Sequence, residues 1–533
     1  MPTDCIPFKD TNYFSSLIID YLDEKDGLKP FYNRFPKLEN FEKQIEEKQR
    51  SFNNDYRADL VRALMIQYEG LSISSMTLTN IDLLKHNSTF TVTTGHQLNL
   101  FTGPLYFFYK IISTINLCRT LKETYPHYNF VPVYWMATED HDFEEINFFN
   151  FKGKKVQWNR AASGAVGEFN LEGLDQVYDV FAAQLDSSET AKSLKKLFHQ
   201  AYLEHTTLTE ATRFLVNKLF SIYGLVILDG NDALLKKLYT PYIEEELIQQ
   251  TSFKVVSKTN EDINALPSNY KIQVNPRAIN LFYINHNLRE RILETDGVYG
   301  VLDTDIRWTK EELLAEVKKH PKRFSPNVIS RPLYQEIILP NLCYIGGGGE
   351  LAYWLQLKSN FESHNVTFPM LLLRNSVLLI TEKQKEKLAK MNVSVGDLFL
   401  NQDDLMTKVT KSISDINIDF SPQKDQLQKQ FDDLYLLAEQ TDKSFKGAVA
   451  AQEVKQIKGL ENLEHRLLKA QKRKLDDILD RVRLLQDELF PGQSLQERNM
   501  NISEFYLEYG EEIIQKLVQN LDPLHSEFLI LEL

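Results

Sequence analysis

The sequence predicts an α/β protein in which a parallel-sheet core with inserted connecting segments precedes a C-terminal helical coiled-coil region. Three observations carry that prediction. Separated passages repeat one pattern, an apolar β-rich run that ends in a polar or glycine turn and opens a helix. GLVILDG is near-continuously apolar rather than alternating, as in a parallel strand buried on both faces. Beyond residue 380 the chain changes to long, charged, glycine-poor stretches with heptad spacing.

The elements follow in order. Residues 1–89 read as a helical lead-in, and 90–150 as the first part of the core. There a β-rich run at Phe90–Thr93 reaches Thr94-Gly95-His96-Gln97, a helix-like segment follows Gly103-Pro104, and the strand FVPVYWMA runs into Thr138-Glu139-Asp140-His141-Asp142. Residues 151–215 read as a first insertion, and 216–240 as a core strand and helix around GLVILDG. In the second insertion, 241–320, QVNPRAINLFYIN and VYGVLDTDIRW look like antiparallel strands. Residues 321–380 close the core with PNLCYIGGGGELAYWLQL and one last strand, FPMLLLRNSVLLI. In the helical arm, 381–500, Leu427, Phe431, Leu434 and Ala438, and then Leu475, Ile478, Val482, Leu485 and Leu489, keep heptad spacing. Pro422 and Pro491-Gly492 bracket the heptads, and Gly447 and Gly459 are the expected turn points of an antiparallel hairpin. A C-terminal helix and tail occupy 501–533.

At 533 residues the chain exceeds the size at which a single core stops growing. Apolar residues at 43% and aromatics at 11% are a globular composition. Lys plus Arg number 61 against 74 Asp plus Glu, and the net charge of −13 repels a phosphate backbone, so no nucleic acid is expected. Cys5, Cys118 and Cys343 form no CxxC, which fits a reducing cytoplasm and neither a disulfide framework nor a thiolate metal cage. The N-terminus lacks an export pattern and no run reaches the ~20 apolar residues of a span, so no membrane association is expected.

The chemistry-bearing groups sit where these strands end. Gly95, Thr102, Gly103 and Lys110 frame His96, whose ring is expected to face an anion. Glu139, Asp140, His141, Asp142, Glu144 and Glu145 crowd the end of an apolar strand, a costly place for charge without ligands or partners. Three roles stay open for them: a general base from Asp140 or His141, an ammonium-binding carboxylate, or an oxygen-rich metal site. Lys318, Lys319, His320, Lys322, Arg323 and Arg331, near Ser325 and Asn327, make a local basic patch suited to phosphate or carboxylate. The run Gly346 to Gly349 implies close backbone approach or positive φ, and Glu350, Tyr353 and Trp354 follow it at the mouth of a pocket. It is not a Walker A loop, since the Gly-Lys-Ser/Thr ending is missing. Arg374 and Asn375 form another polar pair at a strand end.

Taken together, TTGHQLNLFTGPLYFFYK, VPVYWMATEDHDFEEIN, FSPNVISRPLYQEIILP and YIGGGGELAYWLQL resemble the cysteine ligase family of bacillithiol biosynthesis (BshC), over nearly the whole chain. The resemblance implies a Rossmann-like core, a coiled-coil domain and homodimers. It also implies a reaction that joins L-cysteine to the amino group of glucosaminyl-malate. The family's motifs map onto Gly95, His96, Gln97, Thr102, Gly103 and Pro104, onto Glu139 to Asp142, and onto Gly347, Gly348, Gly349 and Glu350. Members often carry a proline within the last glycine run, and this chain does not. The core is also similar to class I aminoacyl-tRNA synthetase-type nucleotidyltransferases, without a KMSKS-like motif. On this reading His96, Asp140, His141 and Glu350 are catalytic. Gln97, Glu139, Asp142, Arg323, Asn327, Arg331, Tyr353, Trp354, Arg374 and Asn375 bind substrate. Gly95, His96, Thr102, Gly103, Lys110, Gly347, Gly348 and Gly349 would hold a cofactor, ATP or ADP with Mg, and no resident metal is expected. A metal-assisted hydrolase or transferase built on His96, Glu139, Asp140 and His141 is one alternative, and a noncatalytic scaffold is the other.

Overall fold

The computed structural model describes residues 4–533, which divide into two compact units. The larger takes in Tyr13–Leu378, Gln496–Leu531 and the chain start through Lys9; the smaller comprises Leu379–Leu495 with Asp10–Asn12 and Glu532–Leu533.

The chain opens with strand β1 (Asp4–Pro7) rather than with helix alone, and reaches the first core strand, β2 (Thr89–His96), after three α-helices of eight residues or more. Core strand β3 (Asn129–Met136) follows the helix Tyr106–Thr124. The first insertion contributes a hairpin, β4 (Phe148–Phe151) and β5 (Lys154–Gln157), and helices, before core strand β6 (Val226–Asp229). Beyond the helices Ala233–Gln249 and Thr251–Asn264 come β7 (Leu281–Asn285), β8 (Leu288–Thr295), β9 (Val298–Val301), β10 (Arg307–Trp308) and β11 (Phe324–Pro326). They form one antiparallel sheet in the order β10-β9-β8-β7-β11. The last core strands are β12 (Asn341–Gly346) and β13 (Met370–Leu373), followed by β14 (Val377–Ile380) and, near the C-terminus, β15 (Glu527–Glu532). The tail is therefore a strand, and the sheet β1-β15-β14 ties it to the chain start.

The core sheet has the order β13-β12-β2-β3-β6, and every pairing in it is parallel. All eight residues of β2 are buried, so its threonines need partners. Thr91 and Thr93 donate to Asn341 Oδ1 (3.2 and 2.9 Å), and Thr94 donates to the Ile345 carbonyl (2.7 Å). One sheet face packs Phe90, Val92, Phe130, Cys343, Ile345 and Leu372 against Leu117, Cys118 and Leu121 of the helix Tyr106–Thr124. Cys118 and Cys343 thus serve as small buried apolar groups, and burial pushes both thiols well above their usual range.

FPMLLLRNSVLLI forms two strands in different sheets rather than one, because Arg374-Asn375-Ser376 turns away to bond Glu497, Ser113 and the Asp522 carbonyl.

In the smaller unit the helices Ser421–Ala438 and Lys443–Lys474 pack as an antiparallel pair, with Lys424 bonded to Glu464 (2.6 Å) and Tyr435 to Glu453 (2.5 Å). Phe431, Ala438 and Val449 are buried between them. Gly447 and Gly459 are not turn points: both lie inside the 32-residue helix, where glycine costs roughly 1 kcal/mol and is tolerated. The turn falls at Glu439–Asp442, where the Asp442 carboxylate accepts the Phe445 N–H and caps the next helix (3.0 Å). Leu475 separates that helix from Asp476–Leu489, and Leu479, Val482, Leu485 and Leu489 of the latter are buried. Among the described residues no helix is long and apolar enough to cross a membrane.

Candidate active site

The carboxyl ends of the parallel strands gather most of the candidate residues. Strand β2 ends in Gly95-His96, β3 leads into Thr138–Asp142, β6 ends in Asp229, β12 in Gly346, and β13 leads into Arg374. The chain passes from β2 outward through β3 to β6, then returns to the other side of β2 with β12 and β13. Strand order therefore reverses between β2 and β12, which opens a crevice at their carboxyl ends, the usual ligand position in such sheets.

A charged cross-link spans this crevice. Lys110, buried on the helix after β2, pairs with Glu350 Oε2 (2.5 Å) and donates to the Gly95 carbonyl (2.8 Å). Glu350 also accepts the Gly347 N–H and the Tyr344 hydroxyl, both at 2.8 Å. Burial raises the Glu350 pKa, but Lys110 and these hydrogen bonds outweigh it and hold the carboxyl below its usual range. Lys110 is therefore already committed to Glu350 and Gly95. A Cβ on Gly95 would lie 3.1 Å from the Tyr344 hydroxyl and 3.8 Å from Arg331 Nη1. Glycine is required there by close approach, since its φ lies outside the left-handed region.

Arg331 sits among the rings of Trp135, Tyr344 and Trp354, its guanidinium carbon 5.8, 5.8 and 6.0 Å from their centroids. It donates to Gln335 Oε1 (3.0 Å), the Tyr353 hydroxyl lies 3.5 Å away, and no carboxylate among the described residues pairs with it. Trp354 is fully buried and stacked on Tyr344 (4.4 Å), so it supports the wall from behind, while Tyr353 is partly exposed.

His96 differs from expectation. Its Nδ1 lies 2.8 Å from the Gln97 carbonyl, which can only accept, so Nδ1 carries the proton. The ring is 7% exposed, packed by Tyr106 and Phe107, and burial, with Lys110 nearby, drives its pKa down to about 3. Nε2 is then a bare lone pair, buried and without a partner among the described residues. A neutral acceptor does not stabilise an anion; it receives a hydrogen from an amine or a hydroxyl.

The acidic segment is sorted by partners far away in sequence. Glu139 pairs with Lys236, a fully buried lysine that also donates to the Phe324 carbonyl (2.7 Å). Thr138 donates to Asp229. Gln97 donates to Asp140 Oδ2 (2.9 Å) and Glu145 Oε2 (2.8 Å), joining the ends of β2 and β3. His141 Nδ1 lies 2.5 Å from Nη1 of Arg289, which strand β8 brings in from the second insertion. Asp142 stands 3.8 Å from His141 Nε2 and is half-exposed. Asp140, His141 and Asp142 form a group with metal-ligand spacing.

Other candidates are committed elsewhere. Arg323 pairs with Glu316 (2.7 Å) and bonds Tyr283, inside the second insertion. Asn327 bonds Asn280 (3.0 Å) and accepts the N–H groups of Ile329 and Ser330 before the helix Arg331–Ile338. Arg374 forms a buried, bidentate pair with Glu497 (3.0 and 2.7 Å), although its Nε, near Gly347, has no partner. Asn375 is held by Ser113 (2.9 Å) and the Asp522 carbonyl (2.7 Å). Phe101, Thr102 and Gly103 all have positive φ, a strained loop fixed by Asn501, which donates to the Phe101 and Gly103 carbonyls (2.9 and 2.5 Å). Gly348 and Gly349 begin the helix Gly348–Trp354. Lys318 and Lys319 lie on the helix Lys310–Lys319, and Lys318 faces Glu244 at 3.6 Å.

Sequence reading missed Lys236, Arg289, Glu497 and Tyr344. Lys236 and Arg289 lie 97 and 148 residues from the groups they bond, and no local pattern marks them.

A family model described as the N-terminal Rossmann-like domain of the bacillithiol biosynthesis protein BshC matches residues 1–375, and one for its C-terminal coiled-coil domain matches 377–533. Residues Gln496–Leu531, within the second match, cluster with the larger unit here. Relatives named "Putative cysteine ligase BshC" include one from Christiangramia forsetii, 59% identical over 100% of this chain and 99% of its own length. Those from Flavobacterium johnsoniae (60%; 100% of both chains) and Bacillus mycoides (27%; 94% and 95%) are similar throughout. The reversal of strand order beside the glycine-histidine turn, the coiled-coil unit and these full-length matches lead to one assignment: the chain belongs to the BshC family of bacillithiol biosynthesis.

Proposed function

We propose that this chain is a cysteine ligase that joins the carboxyl group of L-cysteine to the amino group of glucosaminyl-malate, after nucleotide-dependent activation of that carboxyl group. The observation that carries the reading is that the end of β2 meets both Arg331, whose Nη1 lies 3.8 Å from the Cβ position of Gly95 and which has no carboxylate partner among the described residues, and the buried neutral acceptor His96 Nε2. Amide formation needs a carboxyl carbon with a good leaving group and a neutral amine. An anion receptor beside a hydrogen-bond acceptor meets the needs of the malyl carboxylates and of the attacking amine or a sugar hydroxyl of the same substrate.

Of the three arginines expected to bind substrate, Arg323 and Arg374 are paired with Glu316 and Glu497, which leaves Arg331 to hold the malyl carboxylates. The Lys110–Glu350 pair holds Gly95 and Gly347 in place on the two sides of the crevice. ATP with Mg fits the crevice in character: the buried Arg374 Nε near Gly347 lacks a partner among the described residues, a donor that a phosphate oxygen would satisfy. When bound it would make one carboxyl oxygen of cysteine part of a leaving group, AMP or phosphate, that departs from the carboxyl carbon as the amine adds. The metal-assisted alternative built on His96, Glu139, Asp140 and His141 meets two of these residues already engaged: Glu139 pairs with Lys236, and His141 Nδ1 accepts from Arg289. A homodimer contact through the coiled-coil arm completes the proposal, supported by exposed Leu436, Leu437 and Val454 on the helical pair.

The test is incubation of the purified chain with L-cysteine, glucosaminyl-malate, ATP and Mg²⁺, with mass spectrometry of thiol product and nucleotides. Bacillithiol formed with stoichiometric AMP or ADP is the expected result. Absence of product from a folded chain would overturn the proposal.

A further inference from the structure

Arg289 is a buried arginine of the larger unit without a carboxylate partner among the described residues, and unlike Arg57, whose Nε and Nη1 bond Asn54 and the Leu84 carbonyl, its Nε is left bare. Strand β8 of the second insertion carries it to the end of β3, where it is 9% exposed. Its guanidinium carbon lies 3.9 Å from the Phe282 ring centroid, and Nη1 bonds His141 Nδ1. Its Nε is buried with no partner, and among the described residues no carboxylate pairs with it. Asp140, Glu139 and Asp142 act on it only through space. A cation so placed bears a desolvation cost that its one hydrogen bond to a neutral ring does not offset, so an anion is the missing partner.

The carboxylates around it are not equally available. Glu139 is neutralised by Lys236. Asp140 accepts from Gln97 and from the His141 N–H (2.8 Å). Glu290, the next residue of β8, projects to the opposite face of the strand. At the end of β3, Asp142 is the carboxylate whose oxygens accept no hydrogen bond among the described residues, and it faces the opposite nitrogen of the same His141 ring, at 3.8 Å from Nε2. One imidazole thus separates an unpaired guanidinium from an unpaired carboxylate. Opposite unpaired charges that close together match the carboxylate and ammonium of an α-amino acid.

We propose that Arg289 and Asp142, held apart by His141, form an α-amino-acid subsite in which Arg289 binds the carboxylate and Asp142 the ammonium. This rests on the ligase reading above only for the choice of L-cysteine as occupant. The second insertion then supplies substrate recognition to the core.

Isothermal titration of the full chain with L-cysteine, cysteamine, which lacks the carboxylate, and 3-mercaptopropionate, which lacks the ammonium, tests the subsite. Arg289→Ala is expected to weaken L-cysteine by about tenfold or more and to leave cysteamine unchanged. Asp142→Asn is expected to weaken L-cysteine and to leave 3-mercaptopropionate unchanged. Arg289→Gln, with its thermal unfolding compared with that of the wild type, guards against a folding defect. Equal loss of all three ligands, unchanged L-cysteine binding in Arg289→Ala, or no amino-acid binding by the wild type would overturn the proposal. Binding of L-serine with the same dependence on Arg289 and Asp142, but not of L-cysteine, would uphold the subsite while refuting the ligase reading.

Discussion

The protonation state of His96 makes a quantitative prediction. With a folded pKa of about 3 against an ordinary 6.5, the unfolded chain takes up a proton that the folded chain refuses over that interval. The sign is fixed: the stability His96 contributes is complete above pH 6.5 and is lost as pH falls toward 3. Each pH unit in that window costs about 1.4 kcal/mol, and at pH 5 the loss is about 2 kcal/mol. His96→Gln, which cannot take up that proton, removes the slope. Urea unfolding of both proteins at pH 7.5, 6.5, 5.5 and 5.0 isolates it, because other titrating groups cancel in the difference. The gap in unfolding free energy between wild type and variant is expected to move by about 2 kcal/mol in the variant's favour between pH 7.5 and 5.0. A pH-independent gap, or His96 titrating near 6.5 by NMR, would refute the reasoning and return His96 to the role of a cationic anion-binder.

The remaining predictions concern its surroundings. Lys236→Met strands the Glu139 carboxylate and is expected to lower stability by roughly 3–5 kcal/mol; adding Glu139→Gln should recover more than half of the loss in the urea midpoint. Arg331→Ala is expected to raise the KM for glucosaminyl-malate by about tenfold or more with little change in kcat, and Arg331→Lys should not restore it, because a lysine offers no planar fork. Gly95→Ala pushes a methyl group to 3.1 Å from the Tyr344 hydroxyl and is expected to reduce kcat/KM by about tenfold; Tyr344→Phe in the same chain should relieve it in steady-state assays.

Strand β2 was marked by its β-branched residues and the Gly95-His96 turn that ends it, whereas β3, β6 and β12 were legible because burial on both faces writes near-continuous apolar runs. FPMLLLRNSVLLI misled for the same reason: composition is apolar on both sides of Arg374, and Glu497, whose pairing turns the chain there, lies 123 residues away. Glycines at 447 and 459 looked like breaks because local propensity favours one, yet packing of the paired helices and the Asp442 cap prevail. At the site, residue types at strand ends were readable, but their charge balance was not. Arg323, Arg331 and Arg374 look alike in sequence, and only the fold shows that two of them have carboxylate partners. Arg289 reads locally as an ordinary charged residue of an alternating strand, and its burial appears only once the insertion meets the end of β3.

The central claim is activation of cysteine's carboxyl group by a nucleotide, and oxygen tracing tests it most directly. The chain would turn over L-cysteine carrying ¹⁸O in both carboxyl oxygens with glucosaminyl-malate, ATP and Mg²⁺, followed by mass spectrometry of every product. The account predicts one ¹⁸O retained in the amide and the other in AMP or in inorganic phosphate, in proportion to product. Label released to water, or product formed without nucleotide turnover, would contradict it.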